Sequence, residues 1–264
     1  MGAASWRFSR FCGDGACEPL VVEAVGPCPA PPAAFGLGAA GNYTVLGLAG
    51  GKLVISEGGT KITGDVGLGS GGTGSLLKAT IDGKLYLHDN PPPAANPDIH
   101  GDLTTGGIVH KDMSPEQAAA LAANTALAAL APTQTLGAIT TTTTISGGPV
   151  TNVISLAGVN LVKGTLTISG SASSLFIFNV TGGFNFSSSK MVLAGGVQAN
   201  NIIWNFIGPG ADIDIFKPGT EASGTFLAPY RNITQDHTTL NGRYIGATGG
   251  LTLKMHSAAT VTCP

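Results

Sequence analysis

Charge is what this chain lacks most. Charged residues make up 11% of its 264 residues, against about 25% in an ordinary soluble domain, so few side chains can titrate, pair or hold a metal. The net charge of -2 creates no field for nucleic acid, and the basic residues are scattered singly, which argues against nucleic acid as a partner. Long hydrophobic runs are missing too. None approaches the roughly 18 to 20 apolar residues of a membrane-crossing helix, so no transmembrane segment is expected. The start of the chain, "SWRFSRFCGDG", lacks the apolar stretch of about 7 to 15 residues that a secretory signal needs.

Cysteine is scarce and confined to the ends of the chain, at Cys12, Cys17, Cys28 and Cys263. The spacing fits no zinc pattern. Disulfides are the favoured reading, with free thiols as the alternative. A bridge from Cys28 to Cys263 would tie the start of the folded region to its end and imply an oxidising compartment. Residues 1–34, rich in cysteine and proline, read as an irregular tail, and residues 35–264 as one folded domain.

What is abundant is glycine, 40 residues, about twice the usual share. From residue 43 onward it punctuates short apolar runs such as "KLVIS", "TLTIS", "LFIFNV" and "NIIWNF", which read as strands. Apolar centres recur at Ile177, Ile203, Phe226 and Ile245, and a second set at Phe186, Ile213, Ile233 and Leu253. Spacings near 20 to 27 residues suit a coiled path with two or three short strands per turn. The prediction is therefore an all-β solenoid, favoured over a β-sandwich.

One segment breaks the pattern. In "MSPEQAAALAANTALAALAP", residues 113–132, Ser114 can cap a helix, Pro115 suits its first position, and Gln117 completes a capping box. A helix over 114–131 is predicted, its alanines and Leu121, Leu127 and Leu130 lying along the solenoid.

These pieces together resemble a known family. The stretches "FGLGAAGNYTVLGLAGGKLVISEGGTKITGDVGLGSGG" (35–72), "GTLTISGSASSLFIFNVTGGFNFSSSKMVLAGGVQANNIIWNFIGPGADI" (164–213) and "GTFLAPYRNITQDHTTLNGRYIGATGGLTL" (224–253), with the alanine-rich helix between the first two, are similar to the microbial ice-binding proteins. The resemblance implies a right-handed, discontinuous β-solenoid of roughly triangular section with one long helix, about 115–131, packed alongside. It also implies a non-catalytic protein, secreted or at the cell surface, with no cofactor. Its partner would be ice or another extended extracellular ligand. "GTFLAPYRNIT", with bulky Tyr230 and Arg231 where a flat face would want small residues, looks closer to an adhesive branch. Adhesion is thus the first expectation and genuine ice binding the second.

The candidate surface comes from "ITTTTTISGG", residues 139–148. Alternation in a strand sends Ile139, Thr141, Thr143 and Ile145 one way and Thr140, Thr142 and Thr144 the other. With Thr165 and Thr167 of "TLTIS" they form the expected binding set, unless they are only strand filler. Asp212, Asp214, Lys254 and Arg243 stand at outward positions that would interrupt such a face if they shared it. Asp212 and Asp214 also suggest a polysaccharide-cleaving pair, a third and remote reading, and no catalytic residue is assigned. Residues 84–112 read as an insert or cap loop. Its His88, His100 and His110 each have an aspartate close by, yet match no ligand motif, and no metal site is assigned.

Overall fold

The computed structural model describes residues 28–264 apart from 57, 90–97 and 102, together with short strand segments between residues 5 and 25. Strands from Val45 onward join one parallel array of about nine turns. Alternation explains why each segment is a strand: Thr165–Ser169 buries Leu166 and Ile168 between half-buried Thr165, Thr167 and Ser169, and Lys52–Ser56 buries Leu53 and Ile55. Most turns carry three such strands, so the solenoid has three sides.

The inner row of the first side runs Ile154, Phe178, Trp204, Phe226, Tyr244, Val45, Val66 and Leu85, each in register with the next. Its aromatic members pack against one another, Phe178 and Trp204 stacking with ring centroids 4.0 Å apart and Phe226 and Tyr244 meeting tilted at 5.6 Å. The second side stacks Val159, Phe184, Ile213, Ile233, Leu253 and Leu53 inward. On the third, Leu166, Met191, Ala222, Leu240, Val261, Ile62 and Ile81 point inward. One continuous apolar lumen results.

The repeats expected from sequence mix two of these rows. Ile177 and Ile203 are partners, but both pack outward against the helix. Phe226 pairs with Trp204 and points into the lumen, whereas Ile245 pairs with Leu227 on the helix side. In the second set Ile213, Ile233 and Leu253 are true partners, yet Phe186 pairs with Ile215, and Phe184 takes its place. Corners of unequal length shift the spacing, which a fixed period cannot follow.

Chain order and spatial order differ. The chain enters the middle of the solenoid at Val45–Gly47 and winds to Ile108–Lys111 at one end. It returns through helix α1, Ser114–Ala128. From Gln134–Ile139 at the other end it winds back until Thr252–His256 pairs with Lys52–Ser56. Backbones approach closely at this seam: a Cβ on Gly51 would sit 1.9 Å from the carbonyl oxygen of Ala247. The disulfide Cys28–Cys263, with Cα atoms 5.4 Å apart, closes the seam, and Thr44 beside it donates to the Thr63 carbonyl at 2.8 Å. Cys12 and Cys17, like the rest of the expected tail before residue 28, have side chains outside the described residues.

Residues 84–112 are not a loop added to the solenoid. Leu85–His88, Asp98–His100, Leu103–Thr105 and Ile108–Lys111 form its terminal turns, each in parallel register with a neighbouring turn. Apolar alternation here is diluted by His, Asp and Pro, which hid the strands. The segment caps by position, as the last turns of the stack.

Helix α1 covers the first side. It buries Glu116, Ala120, Ala123, Asn124 and Leu127 against Leu46, Val153, Ile177, Ile203, Leu227 and Ile245, and the short 3-10 segments Ala33–Phe35 and Gly38–Asn42 complete the cover. Leu121 is half-buried, and Leu130 lies past the helix end and is exposed. The capping box does not form. Met113 occupies the cap position, and Asp112 Oδ1 accepts the Ser114 N–H at 2.9 Å instead. A buried amide chain fixes the register of the helix. Asn124 Nδ2 donates to Asn205 Oδ1 at 2.6 Å, Asn205 Nδ2 to Asn179 Oδ1 at 2.8 Å, and Asn179 Nδ2 to the Leu127 carbonyl at 2.7 Å. Buried amides so completely bonded are stabilising, whereas an apolar stripe of alanines alone would tolerate sliding.

Two arginines act inside the fold. Arg231 is fully buried and donates to the carbonyls of Thr181, Gly182, Ile207, Gly208 and Ala211, pinning corners of neighbouring turns. Arg243 is also buried, donating to Asn200 Oδ1 at 2.8 Å and to the Pro29 carbonyl. Burial lowers its pKa to about 10, so it stays protonated at neutral pH.

Arg231→Ala leaves five carbonyls without their donor and is expected to cost about 3 to 5 kcal/mol, read from denaturant unfolding. Removing the disulfide with Cys28→Ser and Cys263→Ser is expected to cost about 2 to 5 kcal/mol. Calorimetry with and without reductant on the unmutated chain should give the same loss; an unshifted transition would mean that backbone pairing alone holds the seam.

Candidate binding surface

The third side of the solenoid brings together most of the threonines singled out above. Thr144 pairs with Thr167, and Thr165 with Lys190. Thr142 lies one residue before the pair Thr143–Leu166, which places it beside Thr165, and its Oγ1 accepts the Thr165 N–H at 3.1 Å. Thr142, Thr144, Thr165 and Thr167 therefore form a two-by-two patch. Turns stack about 4.8 Å apart and alternate residues of a strand lie about 6.7 Å apart, so the four hydroxyls and methyls occupy a regular grid.

The run "ITTTTT" is not one strand. Ile139 ends Gln134–Ile139, and the next strand, Thr143–Ser146, lies on a different side. The residues between turn the corner. Thr140 follows Ile139, whose partner is Val159, and so heads the row of Asn160 rather than that of Thr142. Thr141 is exposed at the corner instead of pointing into the core, and its carbonyl accepts the Thr143 hydroxyl at 2.8 Å. Thr143, opposite Leu166, does face inward. Threonine's β-branch suits a strand and a hydroxyl-bonded corner alike, so five in a row do not reveal the bend.

Register across distant turns extends the patch beyond the residues named from sequence. Glu221, Thr239, Thr260, Lys61, Thr80 and Thr104 continue the row of Thr142, Thr165 and Lys190. In the parallel row Thr144, Thr167 and Val192 are register partners, as are Ser223, Asn241 and Thr262. Thr80 and Thr104 come from the first half of the chain and Thr239 and Thr260 from its end, so the row crosses the seam. No local motif joins them. The charges in the row are closed on themselves: Lys190 Nζ meets Glu221 Oε1 at 2.6 Å, and Lys61 Nζ meets Asp82 Oδ2 at 3.7 Å.

Asp212, Asp214 and Lys254 do not interrupt this surface. Asp214 pairs with Thr234 and Thr234 with Lys254, all on the second side. Half-burial, and to a lesser degree the charge of Asp212, push the Asp214 carboxyl up, while a hydrogen bond from Thr234 opposes them. The basic groups that a cleaving pair would need, Lys217, Arg231 and Arg243, are committed elsewhere. Arg231 and Arg243 are buried in the fold, and Lys217 lies 5.8 Å from the Phe216 ring. Of the expected bulky pair, only Tyr230 is exposed.

The histidines of 84–112 do not converge. His88 is buried with Nδ1 accepting the Met113 N–H at 3.1 Å, and exposed His110 faces Asp89 at 4.0 Å. The side chains of Asp98 and His100, and the whole of Asp102, lie outside the described residues. Among the described residues no three His, Cys, Asp or Glu side chains gather as metal ligands.

A curated ice-binding protein from Flavobacterium frigoris is 35% identical over 100 residues, 38% of this chain, and the aligned part spans 33% of that relative's length. The crystal structure of an ice-binding protein from the Antarctic ascomycete Antarctomyces psychrotrophicus matches with a TM-score of 0.57 and 22% identity, over 89% of this chain and 99% of that one. Another, from an Antarctic bacterium of the Flavobacteriaceae, matches with a TM-score of 0.62 and 22% identity, over 89% of this chain and 47% of the other. The structures share the fold. The family model described as ice-binding-like matches residues 48–259, and the chain belongs to that family.

Proposed function

We propose that this chain binds ice, without catalysis, through the threonine rows of its third side. The observation that carries the reading is the two-row grid, which holds Thr142, Thr144, Thr165 and Thr167 at one end and Thr239, Thr260 and Thr262 nearer the seam. Threonine has few rotamers, so little side-chain entropy is lost at a contact. Its hydroxyl holds water while its methyl leaves the neighbouring water ordered and unbonded to protein. A surface with few open charges does not compete for that water. The family and the named relatives support the same ligand.

Adhesion to another extended surface takes second place. It rested on the bulk of Tyr230 and Arg231, of which Tyr230 is exposed and Arg231 is buried. Action outside the cell, whether secreted or at the surface, is supported by the Cys28–Cys263 bridge, since structural disulfides persist in oxidising compartments.

Thermal hysteresis of the intact chain tests the reading. Thr142→Tyr with Thr167→Tyr should lower activity about tenfold or more, equivalent to about 1.4 kcal/mol of lost contact, with an unchanged melting temperature. Thr73→Tyr on the second side should leave activity unchanged. The opposite pattern would move the contact to the second side, and no hysteresis in the unmutated chain would reject ice as the ligand.

A further inference from the structure

We propose that Lys190 and Glu221 set the strength of this surface by dividing it, so that the end patch works apart from the threonines nearer the seam; the inference rests on ice binding through that side. In the row Thr165, Lys190, Glu221, Thr239, Thr260, the two charged residues are the only ones between the end patch and the patch nearer the seam. Both side chains are more than half exposed, at 56% and 53%. They are longer than threonine, carry their own hydration, and must be ordered and partly stripped of water before a flat solid can approach. Their mutual contact cancels the net charge without shortening them.

The backbone shows the same division. Strands Lys190–Ala194 and Ile213–Ala228 share only the register pair Lys190–Glu221. Two residues on, the Ser223 N–H donates to Met191 Sδ at 3.3 Å. The ladder of the third side is weakest where the charges sit. An alternative role, in which the ion pair staples the two turns together, asks too much of an exposed pair, whose contribution to stability is small. The same turns are already joined on the other two sides through Phe184–Ile213 and Trp204–Phe226.

The test is the double variant K190T/E221T in the full chain, with K254T as a control that removes a charge from the second side. Thermal hysteresis at equal molar concentration should rise about twofold or more in K190T/E221T and stay at the unmutated level in K254T, with melting temperatures unchanged. Activity equal to or below the unmutated chain, at an unchanged melting temperature, would overturn the proposal, and a fall would assign the pair to aligning the patches. If K190T/E221T melts early, K190S/E221S provides the same readout. Loss of activity in the Thr142→Tyr, Thr167→Tyr variant alongside no gain in K190T/E221T would reject this inference and leave ice binding intact. Retained activity in that tyrosine variant would reject the threonine side itself.

Discussion

The structure depends on one long-range junction, in which Tyr244–Gly246 pairs with Val45–Gly47, Thr252–His256 with Lys52–Ser56, and Thr260 and Val261 with Lys61 and Ile62. Every other stacking of turns joins neighbours in sequence or nearly so. This one joins the last full turn to the first, which was made some two hundred residues earlier, and without it the stack would be two short solenoids with four open ends. Closing so long a loop is entropically costly, though the cost grows only slowly with length. Several small devices meet that cost at the seam: the glycine contact at Gly51, the Thr44 hydroxyl on Thr63, and the Cys28–Cys263 bridge. The disulfide does not shape the fold so much as limit the freedom of the unfolded chain.

Because the seam is in the middle, the segment that holds the helix must run along the first side to connect the two ends. Its apolar stripe is thin, and alanine offers little grip. The Asn124, Asn205 and Asn179 chain supplies it, since only one register satisfies all three amides. The composition predicted the helix and its partner sheet. It did not predict the amides, because an asparagine in the middle of a helix reads as a solvent-facing residue until its neighbour across the interface is known.

The same limit explains which parts of the surface were legible. Local alternation in "TLTIS" was enough to orient Thr165 and Thr167, and Thr142 and Thr144 follow from the strand after the corner. Thr140 and Thr141 were misread because a corner built from β-branched residues has no glycine or proline to announce it. Thr80, Thr104, Thr239 and Thr260 could not be found at all. Their membership of one row is set by register between turns far apart in sequence. The strands in 84–112 were missed for a different reason: their hydrophobic signal is weak because a terminal turn has one neighbour and less core to fill.

Three sides built from one repeating backbone have received three treatments. The first is apolar and covered by α1. The second keeps Asp212, Asp214 and Lys254 facing water, at some cost to Asp214, whose carboxyl burial and Asp212 push up. The third is mostly threonine, and its charges come in closed pairs. A parallel ladder makes such segregation easy, since each outward position repeats in line from turn to turn and a residue type chosen once per turn becomes a stripe. It also makes the stripe fragile in a particular way. One unsuitable residue occupies a full step of the grid, and two in adjacent turns leave a gap wider than any threonine can bridge. If this side is the contact surface, its binding strength depends less on how many threonines it contains than on how many of them are consecutive.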